Sequence, residues 1–391
     1  MNTRTFYEFF AGGGMVRAGL GDGWSCVFAN DFDRRKGITY ADNWGDRELV
    51  VDDIRQVGPD DLPGVADLIW GSFPCQDLSL AGGGAGLRGD RSGTFWPFMQ
   101  IANELKEEGR LPRVMALENV VGTLTSHGGT DFVAICQAMS DLGYLFGAIV
   151  VDAALFVPQS RPRLFVIGVQ IGHEAAAASG PTMWHSTALR RAHSTLNEEL
   201  RERWVWWDMP PPPHREVRFA DILQEKPSDV VWHTAAETRA LLSMMSEVNL
   251  AKVETAKAAG IRMVGGVYKR TRWSHGVKVQ RAEIRFDNVA GCLRTPAGGS
   301  SRQLIMVVEG SKIRSRLISA RETARLMGLP DSYRLPAAYN EAYHLTGDGV
   351  AVPVVRYVAR HIVEPVLRSM KEPEDDRDSV RAESSTPTAD N

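Results

Sequence analysis

The chain has 391 residues, of which 43% are hydrophobic and 24% charged, the composition of an ordinary soluble globular protein. This length is enough for one large domain and a second, smaller one. No apolar run approaches the ~18 residues of a membrane-spanning helix, and the N-terminal segment lacks the features of a secretion signal, so we expect a cytoplasmic protein with no membrane contact. The four cysteines form no CxxC pair, which argues against disulfides and against a metal site.

The net charge of −3, taken over the whole chain, argues against a nucleic-acid partner. Residues 262–302 depart from this average, because they hold nine Lys or Arg against two acids, with Tyr268, Trp273 and Phe286 interleaved. A basic stretch that carries aromatic side chains can bind a polyanion. Taken alone, it is explained equally well as a solvated basic surface.

Residues 1–170 alternate short apolar runs with amphipathic stretches, which predicts βαβ units around a parallel sheet. The apolar runs are continuous, as expected of strands that are buried on both faces. The predicted strands cover residues 5–10, 25–30, 68–72, 114–118, 147–152 and 164–169, with helices between them that include 95–108 and 130–142.

Beyond residue 170 this pattern is lost. The predictions, in chain order, are linkers over 175–178 and 210–213, a helical stretch over 188–207, a smaller, mainly β domain over 262–308, a helix over 319–327 and an apolar segment over 350–367 that packs back on the first domain. Residues 371–391 carry seven acids and three bases, which predicts a disordered tail.

A glycine-rich turn, FAGGG over residues 10–14, follows the first predicted strand and opens a predicted helix that runs to Leu20. Glycines let the backbone turn sharply and approach a ligand at the N-terminus of a helix. The turn does not match GxGxxG, because Arg17 takes the position of the third glycine. A glycine turn alone is often only a strand–helix connection.

An acid strengthens the prediction of a ligand site. Asp31 lies nineteen residues after Gly12, at the end of the second predicted strand, where a carboxylate can accept both ribose hydroxyls of an adenosine. Phe10 and Phe32 would provide apolar faces for the adenine ring, and Asp53 could accept a hydrogen bond from its amine. These residues predict an adenosine-containing cofactor and leave NAD and S-adenosylmethionine both open.

Cys75 directly follows the strand predicted over 68–72, so it lies in a loop at the carboxyl end of the sheet, where such folds bind ligands. A lone cysteine is more often a small core residue, but the polar and glycine-rich residues that follow Cys75 predict an exposed loop. Glu118 ends the next predicted strand, and alternation sends Arg161 and Arg163 to one side at the start of another. The sequence therefore predicts a thiol, a carboxyl group and two guanidiniums at one sheet edge, beside an adenosine pocket.

The most specific signal is the order of the motifs along the chain. That order is FAGGG (10–14), the acid of AND (29–31), FPCQ (73–76), ENV (118–120), QSRPR (159–163), RLISARETARLMGLPDSY (316–333) and GDGVAVPVV (347–355). It resembles the DNA cytosine C5-methyltransferase family over the chain up to residue 367. The resemblance implies an α/β fold, with a Rossmann-like S-adenosylmethionine-dependent methyltransferase domain and a second, smaller, mainly β target-recognition domain.

The resemblance also implies a role for each group at the predicted edge. Cys75 is the nucleophile that adds to C6 of cytosine, which makes C5 reactive enough to take a methyl group. Glu118 holds a proton at N3, Arg163 contacts O2 of the base, and Arg161 supports the geometry. The implied cofactor and methyl donor is S-adenosyl-L-methionine. Since C6 is inaccessible inside a duplex, the cytosine must be flipped out, which a mobile loop over 77–92 would assist.

Binding residues and domain limits follow from the same resemblance. The implied cofactor-binding residues are Phe10, Ala11, Gly12, Gly14, Asp31, Phe32, Asp53, Ile54, Pro74 and Asp348. The implied DNA-contacting residues are Gln76, Ser79, Arg91, Lys269, Arg270, Arg272, Arg294, Ser300 and Arg302. The implied domains are a catalytic domain over 1–181, completed by 331–370, and a target-recognition domain over 182–330 that includes a junction helix organised by Arg321 and Glu322. The implied partners of this monomeric, bacterial or phage-encoded enzyme are double-stranded DNA and, in function rather than in a complex, a cognate restriction endonuclease.

Three positions depart from the family pattern. Asp348 stands where Asn is common, Cys292 precedes Leu293 where a Thr–Leu pair is usual, and Glu8 stands where Asp is usual. We interpret Asp348 as a structural substitution, since aspartate accepts most of the same hydrogen bonds.

Three other classes of protein are alternatives to this interpretation. An RNA cytosine methyltransferase of the same family has a smaller recognition region than the one available here. A catalytically silent DNA-binding homologue would have no need of intact Cys75, Glu118 and Arg163. A nicotinamide-dependent dehydrogenase would have no use for FPCQ, ENV and QSRPR.

Overall fold

The computed structural model describes residues 3–74, 92–170, 176–274, 276–294 and 302–369. Several predicted features lie outside these residues. They are the nucleophile Cys75, the DNA contacts Gln76, Ser79, Arg91 and Ser300, nearly all of the predicted loop over 77–92, and the tail over 371–391.

The described part of residues 3–170 contains all the strands and helices predicted there. In chain order they are β1 (Arg4–Phe9), α1 (Met15–Leu20), β2 (Trp24–Asn30), α2 (Arg34–Trp44), β3 (Leu49–Val50), β4 (Leu68–Gly71), α3 (Phe95–Glu107), β5 (Val114–Val120), α4 (Thr130–Asp141), β6 (Tyr144–Asp152) and β7 (Pro162–Gln170). The capping of α2 is local, because the Asp33 carboxylate accepts hydrogen bonds from the backbone N–H groups of Arg35 and Lys36.

These strands form one seven-stranded sheet in the order β3-β2-β1-β4-β5-β7-β6. The prediction of a parallel sheet is right from β3 to β5 and wrong for β7, which runs antiparallel to both β5 and β6. The reason is the short connection of residues 153–161 between β6 and β7. Such a connection can join antiparallel neighbours, whereas a parallel pair needs a crossover of about a dozen residues or more.

The rest of the chain adds shorter elements and a second sheet. In chain order the elements are β8 (Ala177–Ala178), α5 (Thr187–Ser194), α6 (Glu198–Glu202), β9 (Trp206–Trp207), α7 (Ala235–Ser243), α8 (Glu247–Ala258), β10 (Arg262–Ser274), β11 (Val277–Arg285), β12 (Leu304–Glu309), β13 (Lys312–Leu317), α9 (Ala320–Leu326), α10 (Tyr339–Asp348), α11 (Val352–Val358) and α12 (Glu364–Ser369).

Two predictions over this region are wrong in part. Within the linker predicted over 175–178, Ala177 and Ala178 pair with β9 as a short antiparallel strand. The helical stretch predicted over 188–207 breaks into α5 and α6 and ends as a strand. The indole of Trp207 explains the strand, because its Nε1 donates a hydrogen bond to the Ile167 carbonyl, 3.0 Å away, in the larger sheet. This tertiary contact overrides the local preference for helix.

Residues 184–207 pack against the larger sheet. The backbone N–H of Val150 donates to the carbonyl of Trp184 at 2.8 Å, and that of Val205 donates to Phe146 at 2.7 Å. The domain limits stay a prediction, but these contacts join the segment to the larger sheet rather than to the smaller one.

The smaller sheet is antiparallel, with the strand order β11-β10-β12-β13. Val264, Ile305 and Val307 on one face belong to the same core as the larger domain. Val267 and Met306 on the other face form a separate core with α7 and α8, two helices that the sequence did not predict. The smaller sheet therefore has one face toward the core of the larger sheet and one face under its own helices.

The C-terminal segment returns to the first domain, as predicted. Arg356 on α11 donates a hydrogen bond to the carbonyl of Leu20 at 2.9 Å, and Glu364 accepts one from the Trp24 indole at 3.3 Å. Within the described ranges, no helix is both long enough and apolar enough to span a membrane.

Candidate active site

Glu118 and Arg163 form an ion pair at the carboxyl end of β5. Oε1 of Glu118 lies 2.9 Å from Nε of Arg163, and the two side chains are only 7% and 14% exposed. Arg163 reaches this edge because β7 is antiparallel, so that its first residues pair with the last residues of β5. In a fully parallel sheet the start of β7 would lie at the opposite edge.

The surroundings of Glu118 favour retention of a proton. Burial raises the pKa of this carboxyl group, and the guanidiniums of Arg163 and Arg161 counteract the rise only in part. A side-chain hydrogen bond to Ser72 also favours the charged form. The net result is a carboxyl group with a raised pKa, held beside a permanent positive charge.

The segment that leads into Cys75 is fixed beside Glu118. Nδ2 of Asn119 donates a hydrogen bond to the Phe73 carbonyl at 3.2 Å, and the Trp70 indole donates to Oγ of Ser72 at 3.0 Å. Asn119 and Ser72 were not among the residues predicted from the sequence. The asparagine of ENV was the signal available in the sequence, because its amide can donate a hydrogen bond to a neighbouring backbone carbonyl.

Arg161 is buried and fastens three segments together. Its guanidinium donates hydrogen bonds to the carbonyls of Leu293, Gly347 and Gly349 at 3.0, 2.7 and 2.6 Å. Gln159, also buried, accepts a hydrogen bond from the backbone N–H of Leu293 at 3.0 Å. QSRPR thus joins the catalytic edge to the end of the recognition region and to the GDG segment.

A second thiol lies beside these arginines. Sγ of Cys292 is 3.5 Å from Nη1 of Arg161. Burial acts to raise the pKa of Cys292, but the charges of Arg161 and Arg163 outweigh it, and the pKa is lowered overall. In the sequence, Cys292 is only a departure from the family pattern, and nothing there indicates its contact with Arg161.

The glycine turn after β1 presents an open backbone. Gly12 has a φ of +56°, and a Cβ atom added there would meet nothing within 4 Å. By contrast, a Cβ atom at Gly13 or Gly14 would collide with Tyr333 or Trp44. The turn can therefore be approached closely by a ligand at Gly12. Phe10, which precedes it, also has a positive φ of 58°, a strained conformation for this residue.

Asp31, Phe32 and Asp53 are predicted cofactor residues that follow the ends of β2 and β3. Asp31 accepts hydrogen bonds at 2.8 Å from the backbone N–H groups of Gly12 and Asp33, and each of its oxygens keeps a further lone pair. The ring of Phe32 is 69% exposed and presents an apolar face. Asp53 caps the turn before Ile54 and pairs with Arg55, 3.0 Å away.

Asp348 forms an ion pair with Lys36. Its Oδ2 lies 2.8 Å from Nζ of Lys36, and the two side chains are 34% and 20% exposed. The charge of Asp31 also acts to raise the pKa of Lys36. Because Asp31 binds the backbone of Gly12, this pair lies next to the opening there. An aspartate in the GDG segment therefore has a cation to balance it.

Glu8 is a buried acid inside β1, only 1% exposed. Burial raises its pKa to about 8, against the opposing charge of Arg17. The Glu8 carboxyl group therefore keeps its proton over most of the neutral range. No feature of the sequence indicated this.

The predicted DNA contacts of the smaller sheet fall on different faces. Arg270 and Arg272 lie on the face of β10 that Tyr268 presents to the catalytic edge, whereas Lys269 alternates to the opposite face. Arg294 is exposed. Arg302 lies against α10, where its guanidinium binds the Asn340 side chain.

No group of three or more His, Cys, Asp or Glu side chains that could hold a metal ion occurs among the residues that the structure describes.

The larger sheet with its glycine turn and charged edge, together with a separate antiparallel sheet, is the architecture of a Rossmann-like methyltransferase that carries a second sheet. A family model for C-5 cytosine-specific DNA methylases matches residues 4–364. The chain therefore belongs to this family and is a DNA (cytosine-5)-methyltransferase, which confirms the family and the fold class predicted from the sequence.

Similar proteins cover nearly the same length. The Type II methyltransferase M.HhaI of Haemophilus parahaemolyticus is 26% identical over 359 residues, which span 91% of this chain and 93% of that protein. The Type II methyltransferase M.HpaII of Haemophilus parainfluenzae is 26% identical over 380 residues, which span 92% and 89%.

Solved structures show the same fold. The S. pombe Dnmt2 methyltransferase superposes with a TM-score of 0.52 at 18% identity, covering 93% of this chain and 99% of that one. The Entamoeba histolytica methyltransferase EhMeth superposes with a TM-score of 0.55 at 12% identity, covering 95% and 100%.

Proposed function

We propose that this methyltransferase transfers a methyl group from S-adenosyl-L-methionine to carbon 5 of a cytosine flipped out of duplex DNA, through a covalent bond between Cys75 and C6. The observation that carries the proposal is the buried Glu118–Arg163 pair, at 2.9 Å, beside the anchored segment that leads into Cys75. A carboxyl group and a guanidinium at one edge match the N3, amino and O2 atoms of cytosine.

Cys75 adds to C6, and the electron pair of the C5–C6 double bond moves toward N3. Glu118 shares a proton with N3 as this charge develops, which its raised pKa favours. Arg163 stabilises the negative charge on O2. C5 would then take the methyl group of a bound donor as the donor's methyl–sulfur bond breaks. Loss of the C5 proton to solvent, departure of the Cys75 thiolate and return of the N3 proton to Glu118 would restore the aromatic base.

Arg161 acts as a positioning residue in this scheme. Its guanidinium donates to three backbone carbonyls and contacts the Cys292 thiol, so it holds the edge together rather than meeting the base. The charge of Arg161 also acts to lower the pKa of the Cys292 thiol.

The residues present fit the methyl donor. Gly12 offers an open backbone, Asp31 offers free lone pairs for ribose hydroxyls, and Phe32 offers an exposed face for adenine. Phe10, Ala11, Gly14, Asp53, Ile54, Pro74 and Asp348 complete the proposed set. When bound, S-adenosyl-L-methionine supplies the electrophilic methyl group. Lys36 leaves Asp348 neutralised toward this ligand, which supports a structural substitution at that position.

The duplex would be bound by the basic residues of the smaller sheet. Phosphate contacts from such residues fix the position of the enzyme, and a few polar side chains read base edges. We also propose a cytoplasmic, monomeric enzyme of bacterial or phage origin that acts beside a restriction endonuclease. The relatives named as Type II methyltransferases come from bacteria.

The test is methyl transfer from labelled S-adenosyl-L-methionine to mixed duplex DNA, followed by bisulfite sequencing of the product. We expect 5-methylcytosine within one short recurring sequence. Binding of DNA without formation of 5-methylcytosine would overturn the proposal.

A further inference from the structure

Two guanidiniums lie close together at the catalytic edge. Arg161 is 1% exposed, and the side chain of Arg163 is 14% exposed. Burial lowers the pKa of Arg161, and so does the charge of Arg163, because two like charges repel. Two cations in so buried a place need anions beside them, since an unpaired buried charge is strongly destabilising.

The carboxyl groups near this edge meet the need only in part. Glu118 pairs with Arg163, but the proposed reaction requires a proton on Glu118, and a protonated carboxyl group balances no charge. Asp348 also acts on Arg161, but Asp348 is paired with Lys36 at 2.8 Å. A further anion is therefore needed at the edge.

The thiol of Cys292 lies where this anion is needed. Its Sγ is 3.5 Å from Nη1 of Arg161, and Arg163 forms a hydrogen bond with the same sulfur. Burial acts to raise the pKa of the Cys292 thiol, but the two guanidiniums outweigh it. Among the charges that favour the ionised form of Arg161, that of Cys292 is the largest, ahead of Glu118 and Asp348.

The two protonation states of Cys292 have different hydrogen-bond partners. A protonated thiol donates, and the Leu293 carbonyl lies 3.3 Å from Sγ, but Arg161 already donates to that carbonyl at 3.0 Å. A thiolate only accepts, and both guanidiniums are donors. The partners around Cys292 therefore suit the thiolate better than the thiol.

The other ionisable groups around Cys292 provide no competing anion. Tyr268 on β10 and Tyr343 on α10 have pKa values raised by burial, so both stay neutral in the working range of an enzyme. Arg294, two residues further along the chain, is exposed and adds positive charge. Apart from Glu118 and Asp348, the charges that act on this sulfur are therefore positive.

We propose that Cys292 is a positioning residue whose thiolate is the shared counter-ion of Arg161 and Arg163, so that Glu118 keeps its proton for N3 of the base. The negative charge and the proton are thereby divided between two side chains of one edge. Threonine, which is usual in the family at this position, has no ionised form to offer. This inference rests on the proposed function, because that function assigns the proton of Glu118 to N3.

The first test needs no methyl transfer. In the full chain with Cys75→Ser, labelling of the Cys292 peptide by iodoacetamide is followed against pH, with free cysteine labelled alongside. Cys26 and Cys136 are buried and have raised pKa values, so they should not react over the same range. The labelling midpoint of Cys292 should lie below that of free cysteine. A midpoint at or above that of free cysteine would overturn the proposal.

A pair of variants identifies the cation that holds the thiolate. In the same background Arg163→Gln should raise the labelling midpoint of Cys292, because a neighbouring positive charge is lost. Arg218→Gln, at an exposed arginine that pairs with Asp221, is the matched control and should leave the midpoint unchanged. A midpoint that stays in place in Arg163→Gln would refute the shared pairing.

The second test follows the proton of Glu118. Single-turnover methyl transfer is measured against pH for the native protein, Cys292→Ser and Cys292→Asp, and at high pH the rate should decline as Glu118 loses its proton. Loss of the anion in Cys292→Ser should make Glu118 more acidic, so the decline should start at lower pH. At one pH on the decline, the rate of Cys292→Ser should be about threefold or more below the native rate. Cys292→Asp restores a negative charge and should keep the native decline.

Two results of the second test would contradict the proposal. One is a decline in Cys292→Ser at the native pH. The other is an equal shift in Cys292→Asp, since the shape of the side chain rather than its charge would then explain the effect.

The two tests also separate this inference from the proposed function. If no 5-methylcytosine forms, the proposed function fails and the claim about Glu118 fails with it, while labelling still decides whether Cys292 is the counter-ion. If 5-methylcytosine forms and the decline does not move in Cys292→Ser, only the role of Cys292 fails.

Discussion

The catalytic edge and the two-stranded ribbon of β10 and β11 both depend on arginine, yet they hold it in opposite environments. At the edge, Arg161 is 1% exposed and binds three carbonyls, and Arg163 is paired with a buried carboxyl group. On the ribbon, Arg270 and Arg272 are about half exposed and share the partly exposed Glu283. Buried charges with fixed partners position atoms, whereas exposed charges are available to a polyanion and are screened by salt.

This contrast predicts that removing a charged side chain changes activity or stability more where its surroundings are buried than where they are exposed. A second buried ion pair joins Arg316 on β13 to Glu322 on α9; their charged atoms are 2.6 Å apart and both side chains are fully buried. The glycine-turn side of the molecule contains a buried acid, Glu8, and a partly exposed pair, Lys36 and Asp348. A series of four sites results. It runs from the buried Glu118, through the Arg316–Glu322 pair and Glu8, to the partly exposed Lys36–Asp348 pair.

The largest effect is expected at Glu118. Glu118→Gln keeps the size of the side chain but cannot share a proton with N3, so methyl transfer should fall by about 10²–10⁴-fold. Binding of S-adenosyl-L-methionine and of duplex DNA should persist. The measurement is single-turnover methyl transfer, with the exposed Glu199→Gln as matched control. Methyl transfer at the native rate would exclude Glu118 from the reaction.

A large loss of stability is expected at the buried pair. Arg316→Met leaves the Glu322 carboxylate buried without its cation, which should lower the free energy of unfolding by about 3–5 kcal/mol. The matched control is Arg218→Met, whose partner Asp221 is exposed and whose loss should lower the free energy of unfolding far less. Urea unfolding of the full chain measures both. Equal losses would mean that burial does not set the cost.

At Glu8 the expected effect depends on pH. Burial raises its pKa from 4.5 to about 8, so the folded chain keeps a proton that the unfolded chain releases. The contribution of Glu8 to stability is therefore largest below pH 4.5 and is lost as pH rises toward 8, by up to about 1.4 kcal/mol per pH unit. Glu8→Gln should remove this slope, so its stability relative to the native protein should increase between pH 5 and pH 8. A constant difference across that range would contradict the assignment.

The smallest effect is expected at Asp348. Its pair with Lys36 is partly exposed, and such pairs contribute about 1 kcal/mol or less. Asp348→Asn should therefore change the affinity for S-adenosyl-L-methionine by about fivefold or less. Calorimetric titration measures this change, with the exposed Asp46→Asn as control. A much larger change would show that Asp348 has a direct part in choosing the donor.

The sequence predicted the larger sheet well, because continuous apolar runs over 68–72 and 114–118 have few structural interpretations. It could not predict the direction of β7. Strand direction depends on the length of the connection before it, and residues 153–161 hold only one short helical turn, Ala153–Leu155, whose sequence does not indicate the direction of the next strand. The predicted meeting of Glu118 and Arg163 depends on that reversal.

Within the site, the sequence predicted residues that occur in dense motifs and missed those that act through the backbone. Asn119 and Gln159 bind main-chain groups of segments far away in the chain, and nothing in the local pattern indicates such partners. Lys269 and Arg270 were both predicted to contact DNA from the family resemblance, although strand alternation separates their faces once the register is known. Tertiary partners, rather than residue types, account for these differences.

The central claim is that Cys75 attacks C6 of the target base. The most direct measurement uses duplex DNA that carries 5-fluorocytosine at the mapped position, incubated with S-adenosyl-L-methionine and the full chain. The native protein and Cys292→Ser should form a covalent complex that survives denaturation, with the adduct on the peptide that contains Cys75, and Cys75→Ser should form none. A complex that forms with Cys75→Ser, or an adduct found on Cys292, would contradict the account.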